Sequence, residues 1–288
     1  MSRGMTAVRA GFQRGRVEVR QIVTSADVLG WLWPSILAMI VLYVLSDRTV
    51  PGTRFSLGSQ SVAGFLGVNM LYTGMLGLSV ALTVEREDGT LLRMKATPNG
   101  MLGYLVGKVV GQTGLTVVFL LVILAPSAYL FDGLELRGAS SWLMLTGVLV
   151  LGLIATLPLG AILGSLFSSV QGLSIVPLAI MGLTAISGVF YPITALPIWL
   201  QWIGQMLPLY WLGLGMRAAL LPDEMAVVEI GGSWRHLEMV AALGAWAVFG
   251  FVAAPVVLRR MARRQSGSRV MPPSRPGRAA PDVGRQRT

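Results

Sequence analysis

The chain has 288 residues, of which 54% are hydrophobic and only 12% charged, and its mean hydropathy is +0.68. Soluble domains carry roughly 25% charged residues, so this composition excludes a water-soluble fold and requires an integral membrane protein. The absence of cysteine excludes a disulfide framework, a thiolate metal site and a thiol nucleophile.

In chain order, residues 1–27 are basic and polar. From Val8 through Phe12, Val19, Ile22 and Val23 the apolar positions recur near helical spacing, with Arg9, Arg16 and Arg20 among them. This pattern predicts an amphipathic helix lying on the inner leaflet, with residues 1–7 as a disordered leader. A hydrocarbon core about 30 Å thick needs roughly 20 apolar helical residues to cross it. Six stretches qualify: residues 28–46, 61–83, 109–131, 142–167, 170–190 and 239–258, none containing Asp, Glu, Lys, Arg or His. The first is longer than a signal-peptide core and is expected to be retained. Strand-like alternation is absent, so helices rather than a barrel satisfy the backbone in lipid. The fold expected is therefore an all-α integral membrane protein with three parts: residues 1–27 as a cytoplasmic amphipathic segment, 28–258 as a six-span transmembrane domain, and 259–288 as a basic, disordered tail.

Two segments stand out from the spans. Residues 85–98, EREDGTLLRMKATP, place charge directly between the second and third apolar runs. Thr90 is a suitable cap for a short helix, Thr97-Pro98 ends it, and Gly89 permits a sharp change of direction after the second span. Such a helix suits a groove in a cytoplasmic partner; the competing reading is an ordinary charged turn. The fifth and sixth spans are joined by 48 residues, 191–238, whose first 26 carry no charge and include Trp199, Trp202, Tyr210 and Trp211. Pro192, Pro197 and Pro208 divide this stretch into pieces too short to cross, which predicts re-entrant helices that dip into the outer leaflet. A seventh span over residues 198–216, interrupted by Pro208, is the alternative, and it would carry the C-terminal arginines outside.

Charge sets the orientation. With an even number of spans, eighteen Lys and Arg residues fall on one face and five on the other, so the positive-inside rule places both termini and the 85–98 segment in the cytoplasm. The same clustering beside membrane spans explains the net charge of +10 without nucleic acid. A phosphate-binding loop is missing: Gly107-Lys108 is followed by Val109, and Leu102 occupies the required earlier glycine position. His236 has no cluster of acids around it and is expected on the outer surface. No ionisable residue lies within a span, which argues against proton- or sodium-coupled transport. Gly103, Gly107 and Gly111 recur at four-residue intervals and allow close helix packing, read as intramolecular rather than as a dimer seam.

The string from Glu85 to Leu91, followed by Thr97-Pro98 and Gly107-Lys108, resembles the E-R-E-x-G-T-L…T-P…G-K pattern of ABC type-2 permeases, the membrane subunits of bacterial ABC exporters. Residues 187–211, SGVFYPITALPIWLQWIGQMLPLYW, are similar to that family's outer-loop pattern of S-G-x-x-[FY]-P…L-P…x-P-x-x, with Arg217 in the place of a frequent arginine. Residues 93–96 are more basic than the family's usual form. The resemblance implies a transport subunit rather than an enzyme, multi-pass in the bacterial plasma (inner) membrane. It implies two ATP-binding partner subunits that carry ATP and Mg, a second permease copy, and contact with membrane lipid; this chain itself binds no cofactor or metal. It further implies that Glu85, Arg86, Glu87, Gly89, Thr90, Leu91, Arg93, Thr97 and Pro98 form the ATPase-coupling segment. Glu85, Glu87 and Gly89 would fix its elbow, Leu91 and Arg93 would touch the partner, and Lys108 would mark the inner membrane boundary. Gly188, Tyr191, Pro192, Leu196, Pro197, Pro208 and Arg217 form the outer re-entrant motif. The short loops resemble the branch exporting drugs and small lipophiles; polysaccharide and lipo-oligosaccharide exporters share the plan, and a non-transporting membrane partner is the reading from a different class.

Overall fold

The computed structural model describes residues 3–44, 46–50, 56–97, 99–131, 133–136, 138–167 and 169–267. Among these residues the fold is helical, and a single antiparallel bridge, Thr49 to Ser56, is the one strand-like pairing. Helix α1 is Arg3–Thr24 and α2 is Asp27–Val44. The next run is continuous: α3, Leu57–Leu71, passes through a π-helical turn, Tyr72–Gly77, into α4, Leu78–Glu87. Then come α5, Thr90–Lys95, and the long α6, Gly100–Leu130, and α7, Ala139–Leu166. Short helices α8, Val170–Leu173, and α9, Ile175–Ile186, lead to a 3₁₀ turn, Ile193–Ala195, and to α10, Ile198–Met206, and α11, Pro208–Leu220. Two further 3₁₀ turns, Asp223–Val228 and Ile230–Gly232, precede α12, His236–Gly267.

Among the described residues four stretches are long and apolar enough to cross a membrane: Leu57–Glu87, Gly100–Leu130, Ala139–Leu166 and His236–Leu258. The expected first span lies on α2, and the expected fifth corresponds to a shorter apolar run, Val170–Ile186, broken at Ser174. Two boundaries correct the sequence reading. Residues 3–7, expected to be disordered, begin α1, because the helical spacing of the basic segment extends to its start. Residues 259–267, expected within a disordered tail, continue α12; the apolar helix behind them supplies the nucleus that a short basic stretch lacks. The remainder of the tail, 268–288, lies outside the described residues, as do Arg54, Arg137 and Pro98.

Lipid is as apolar as leucine, so helices in it associate through close fit, small residues and hydrogen bonds. The contacts here follow that rule. A Cβ at Gly15 would stand 2.6 Å from Gly107 O and 2.8 Å from Gly111 N, and one at Gly103 would stand 2.9 Å from Ala7 O. Helix α1 thus packs along the N-terminal half of α6, glycine stripe against glycine stripe. The intramolecular reading of Gly103, Gly107 and Gly111 is correct, and their partner is the amphipathic segment, which leaves Val8, Phe12, Val17 and Val23 exposed on its other faces. Elsewhere Gly67 lies against Gly213, Gly164 against Ser79 O, and Gly250 against Pro158. The buried core between these helices includes Leu66, Met70, Ile123, Val148, Leu212, Met216 and Leu243. Apolar residues on the outward faces, such as Ile40, Val150, Leu178, Met181, Phe251 and Val252, are exposed.

Candidate functional site

The charged segment emerges from α4 as a continuation of a long helix, and its first residues look back into the protein. Glu85 Oε1 lies 3.1 Å from Arg14 Nη2 and 2.9 Å from Lys108 Nζ; Lys108 Nζ in turn lies 2.7 Å from Glu18 Oε1. Four alternating charges therefore tie α1, α4 and α6 together at one level, and only 6% of the Lys108 side chain is exposed. Lys108, expected at a membrane boundary, is the buried centre of this cluster. A neighbouring cation–π contact sets the Arg14 guanidinium 5.5 Å from the Tyr104 ring centroid. Arg86 points the opposite way: its guanidinium donates to Gly164 O at 3.4 Å and to Phe167 O, which satisfies carbonyls at the end of α7. Higher on the same face, Ser79 Oγ donates to Gly160 O at 2.8 Å and Thr83 Oγ1 to Gly164 O at 3.4 Å. Helix α4 is thus fixed on both sides, by ions toward α1 and α6 and by hydrogen bonds toward α7.

Beyond it the chain turns freely. Glu87 and Asp88 are exposed. Gly89 has φ +71°, the left-handed region that L side chains resist, and no atom lies within 4 Å of the place a Cβ would take. The glycine is required by the backbone and not by space. Helix α5 begins at Thr90 itself, one residue before the expected start, so Gly89 holds the cap position and its carbonyl accepts from Arg93 N at 3.2 Å. Arg93 Nη2 donates back to Asp88 O at 3.0 Å and remains exposed, whereas Leu91 is half-buried. Thr97 Oγ1 donates to Met94 O at 3.0 Å, and Asn99, at φ +56°, reverses the chain into α6. The structure therefore separates the sequence-derived set: Glu85 and Arg86 fix the end of α4, Gly89 makes the turn, and Glu87, Arg93 and Thr97 are exposed.

At the far end, the second motif forms a clasp. Gly188, at φ +60°, turns the chain after α9; a Cβ there would stand 2.7 Å from Ile193 Cβ. Tyr191 Oη donates to Ala185 O, and Ser61 Oγ of α3 donates to Phe190 O at 3.0 Å. Pro192 and Pro197 flank the 3₁₀ turn, Gln201 Nε2 donates to Leu196 O at 2.8 Å, and Pro208 opens α11 after the extended Leu207. The interruption expected at Pro208 is thus present, between α10 and α11. Arg217 is 1% exposed; its Nε lies 2.7 Å from Glu229 Oε1 and its Nη1 donates to Gly188 O at 3.3 Å. Tyr210, buried beside this pair, has its phenol pushed up to about 12 by burial first and by the Glu229 carboxylate second. His236 is exposed at the start of α12, as expected.

Sequence reasoning missed Glu18 and Glu229, the acidic partners of the two buried cations. It also missed the π turn, and it missed Gly11 and Gly15, whose four-residue spacing matches that of Gly103, Gly107 and Gly111 and was the available signal. Among the described residues no group of acids, histidines or cysteines is disposed to hold a metal ion.

The sequence profile of the ABC-2 family transporter protein matches residues 29–257, from α2 through most of α12. The chain belongs to the ABC-2 transporter family. No curated protein among those compared matches it. ABC-2 membership makes it a multi-pass membrane component of a transporter that works with an ABC ATP-binding subunit. The matched region contains both the α4–α5 elbow and the outer clasp, while the whole of α1 precedes it.

Proposed function

We propose that this ABC-2 permease exports a hydrophobic or amphipathic small molecule outward across the bacterial inner membrane, using six spans with both termini cytoplasmic. Two copies pair with two ATP-binding subunits, which hold ATP and Mg. Helix α5 is the element those subunits move. The observation that carries this reading is the change in constraint at Gly89: α4 is pinned by Glu85 and Arg86, and the next helix stands on a left-handed glycine with exposed polar residues. A charged turn that only satisfied topology would not need a rigid lever behind a single-residue elbow.

Gly89→Val demands a left-handed conformation that a β-branched residue resists, and Leu91→Asp puts a charge into a half-buried apolar contact. Both variants should insert and accumulate normally, while ATPase copurification and export of a fluorescent lipophilic substrate fall several-fold; Arg275→Ala should do little. Normal copurification and export in both α5-region variants would return the segment to the reading of a charged turn. Polysaccharide and lipo-oligosaccharide cargo would instead show as export of the glycan with no effect on lipophile efflux. A membrane partner that does not transport would show no ATP-dependent flux with any cargo.

A further inference from the structure

We infer that the slot enclosed by α1, α4 and α6 is a binding site for a single-tailed alkylamine, with the protonated amine at Glu18 and the chain running toward the π turn. The inference rests on the exporter reading for its role in transport, but not for binding itself. The slot has a volume of about 260 Å³. Ligand sites for drug-sized molecules run about 300–1,000 Å³, so this one takes a narrow chain and not a polycyclic or two-tailed molecule. Along the second membrane-crossing run it extends from Glu85 to Thr73, twelve residues or about 18 Å of helix. Its walls change character along that length: Glu18, Glu85 and Lys108 lie at the cytoplasmic end, and Ile22, Val80, Leu115 and Phe119 provide the apolar remainder.

The pairing pattern chooses the sign of the ligand. Lys108 Nζ is already bound by two carboxylates, Glu18 Oε1 and Glu85 Oε1, and Glu85 Oε1 also holds Arg14. An anionic head therefore meets a cation whose charge is spent, beside two carboxylates that repel it. Glu18 engages Lys108 through Oε1 alone, and its Oε2 lies over Gly111, 3.3 Å from where a Cβ would be. Glu18 lines the slot with 27% of its side chain exposed, so its carboxylate is open to an N–H donor, and a charge-assisted hydrogen bond of this kind is about twice as strong as a neutral one. Deeper in the slot Gln112 gives its Nε2 to Thr73 O, and Thr116 Oγ1 pairs with Thr73 Oγ1 at 2.9 Å. Those polar groups are satisfied by one another, so the inner part offers an alkyl chain an apolar wall.

The test uses the full chain in lipid nanodiscs without ATPase and measures saturable binding of radiolabelled dodecylamine. Ala81→Trp, which fills the middle of the slot, should reduce affinity by about tenfold or more, and Glu18→Gln by a comparable factor. Dodecyl sulfate and dodecanol should each compete at least about tenfold more weakly than unlabelled dodecylamine. Because Glu18→Gln also disturbs Lys108, each variant is checked for unchanged monodisperse elution; Ala81→Trp leaves the ion cluster intact. Binding unchanged in Ala81→Trp, or equal competition by dodecyl sulfate, would overturn the site. Export lost while binding persists would count against the exporter reading and leave the site standing.

Discussion

Arg217 Nε lies 2.7 Å from Glu229 Oε1 with each side chain only 1% exposed, so α11 and the 3₁₀ segments after it are joined by a wholly buried ion pair. Removing one member strands the other charge, which costs about 3–5 kcal/mol, while replacing both with apolar residues of similar size is often neutral or better. Arg217→Met should therefore lower the unfolding midpoint of the detergent-solubilised protein sharply. The double variant Arg217→Met/Glu229→Leu should recover most of the loss. A double variant as unstable as the single one would mean that the hydrogen bond from Arg217 Nη1 to Gly188 O, and not the ion pair, holds the clasp.

The contact between α1 and α6 has no room for side chains at its glycines. A Cβ at Gly15 would come within 2.6 Å of Gly107 O, a backbone atom that cannot turn aside, whereas nothing lies within 4 Å of a Cβ at Gly4. Overpacking of this kind costs about 1–3 kcal/mol. Gly15→Leu should loosen α1 and raise tryptic cleavage at Arg16 and Arg20 several-fold in inner-side-out vesicles; Gly4→Leu should not. Equal cleavage of the two variants would show that α1 is held by the Arg14 and Glu18 ion pairs alone.

Much of this arrangement was legible in the sequence because its causes are local. Uncharged runs set the long helices, Pro197 and Pro208 set the breaks around α10, and Gly89 set the elbow. Each acts through the backbone within a residue or two of itself. The ion cluster was not legible. Arg14 and Glu85 are 71 positions apart and Glu18 and Lys108 are 90 apart, and which acid meets which base depends on how α1 lies on α6. That packing was half visible, since one glycine stripe was noticed and its complement at Gly11 and Gly15 was not. The resemblance put Lys108 at the inner membrane boundary but said nothing of its burial, which pairing with Glu18 and Glu85 permits. The outer arginine was placed in its motif, but its acid sits twelve residues on, beyond a 3₁₀ turn that no periodicity announces. The π turn has no composition signal beyond Gly74 and Gly77.

That π turn has a specific support. Its wider hydrogen-bond register disturbs the regular ladder, and Gln112 Nε2 reaches from α6 to donate to Thr73 O, with both groups buried. Gln112→Leu should leave the Thr73 carbonyl unsatisfied at a cost of about 1–3 kcal/mol. Hydrogen exchange of amides 73–78 should accelerate by about tenfold or more, while α12 is unaffected. Unchanged exchange in this window would show that the turn is maintained by its packing against Thr156 and Gly160 instead.

The proposed topology is open to direct labelling because the chain has no cysteine of its own. Useful positions must be exposed as well as correctly sided, and this condition excludes Ser59, which is buried at 3%. Ser140, ahead of α7's apolar stretch, and Ser233, ahead of α12, are exposed, as are Asp88 and Ala96 on either side of α5. The positive-inside rule puts the first two outside and the last two in the cytoplasm. Single cysteines at Ser140 and Ser233 should react with an impermeant maleimide in intact cells, and cysteines at Asp88 and Ala96 should react only after permeabilisation. Labelling at Asp88 in intact cells would overturn the orientation, and with it the placement of α5 where an ATPase can reach it.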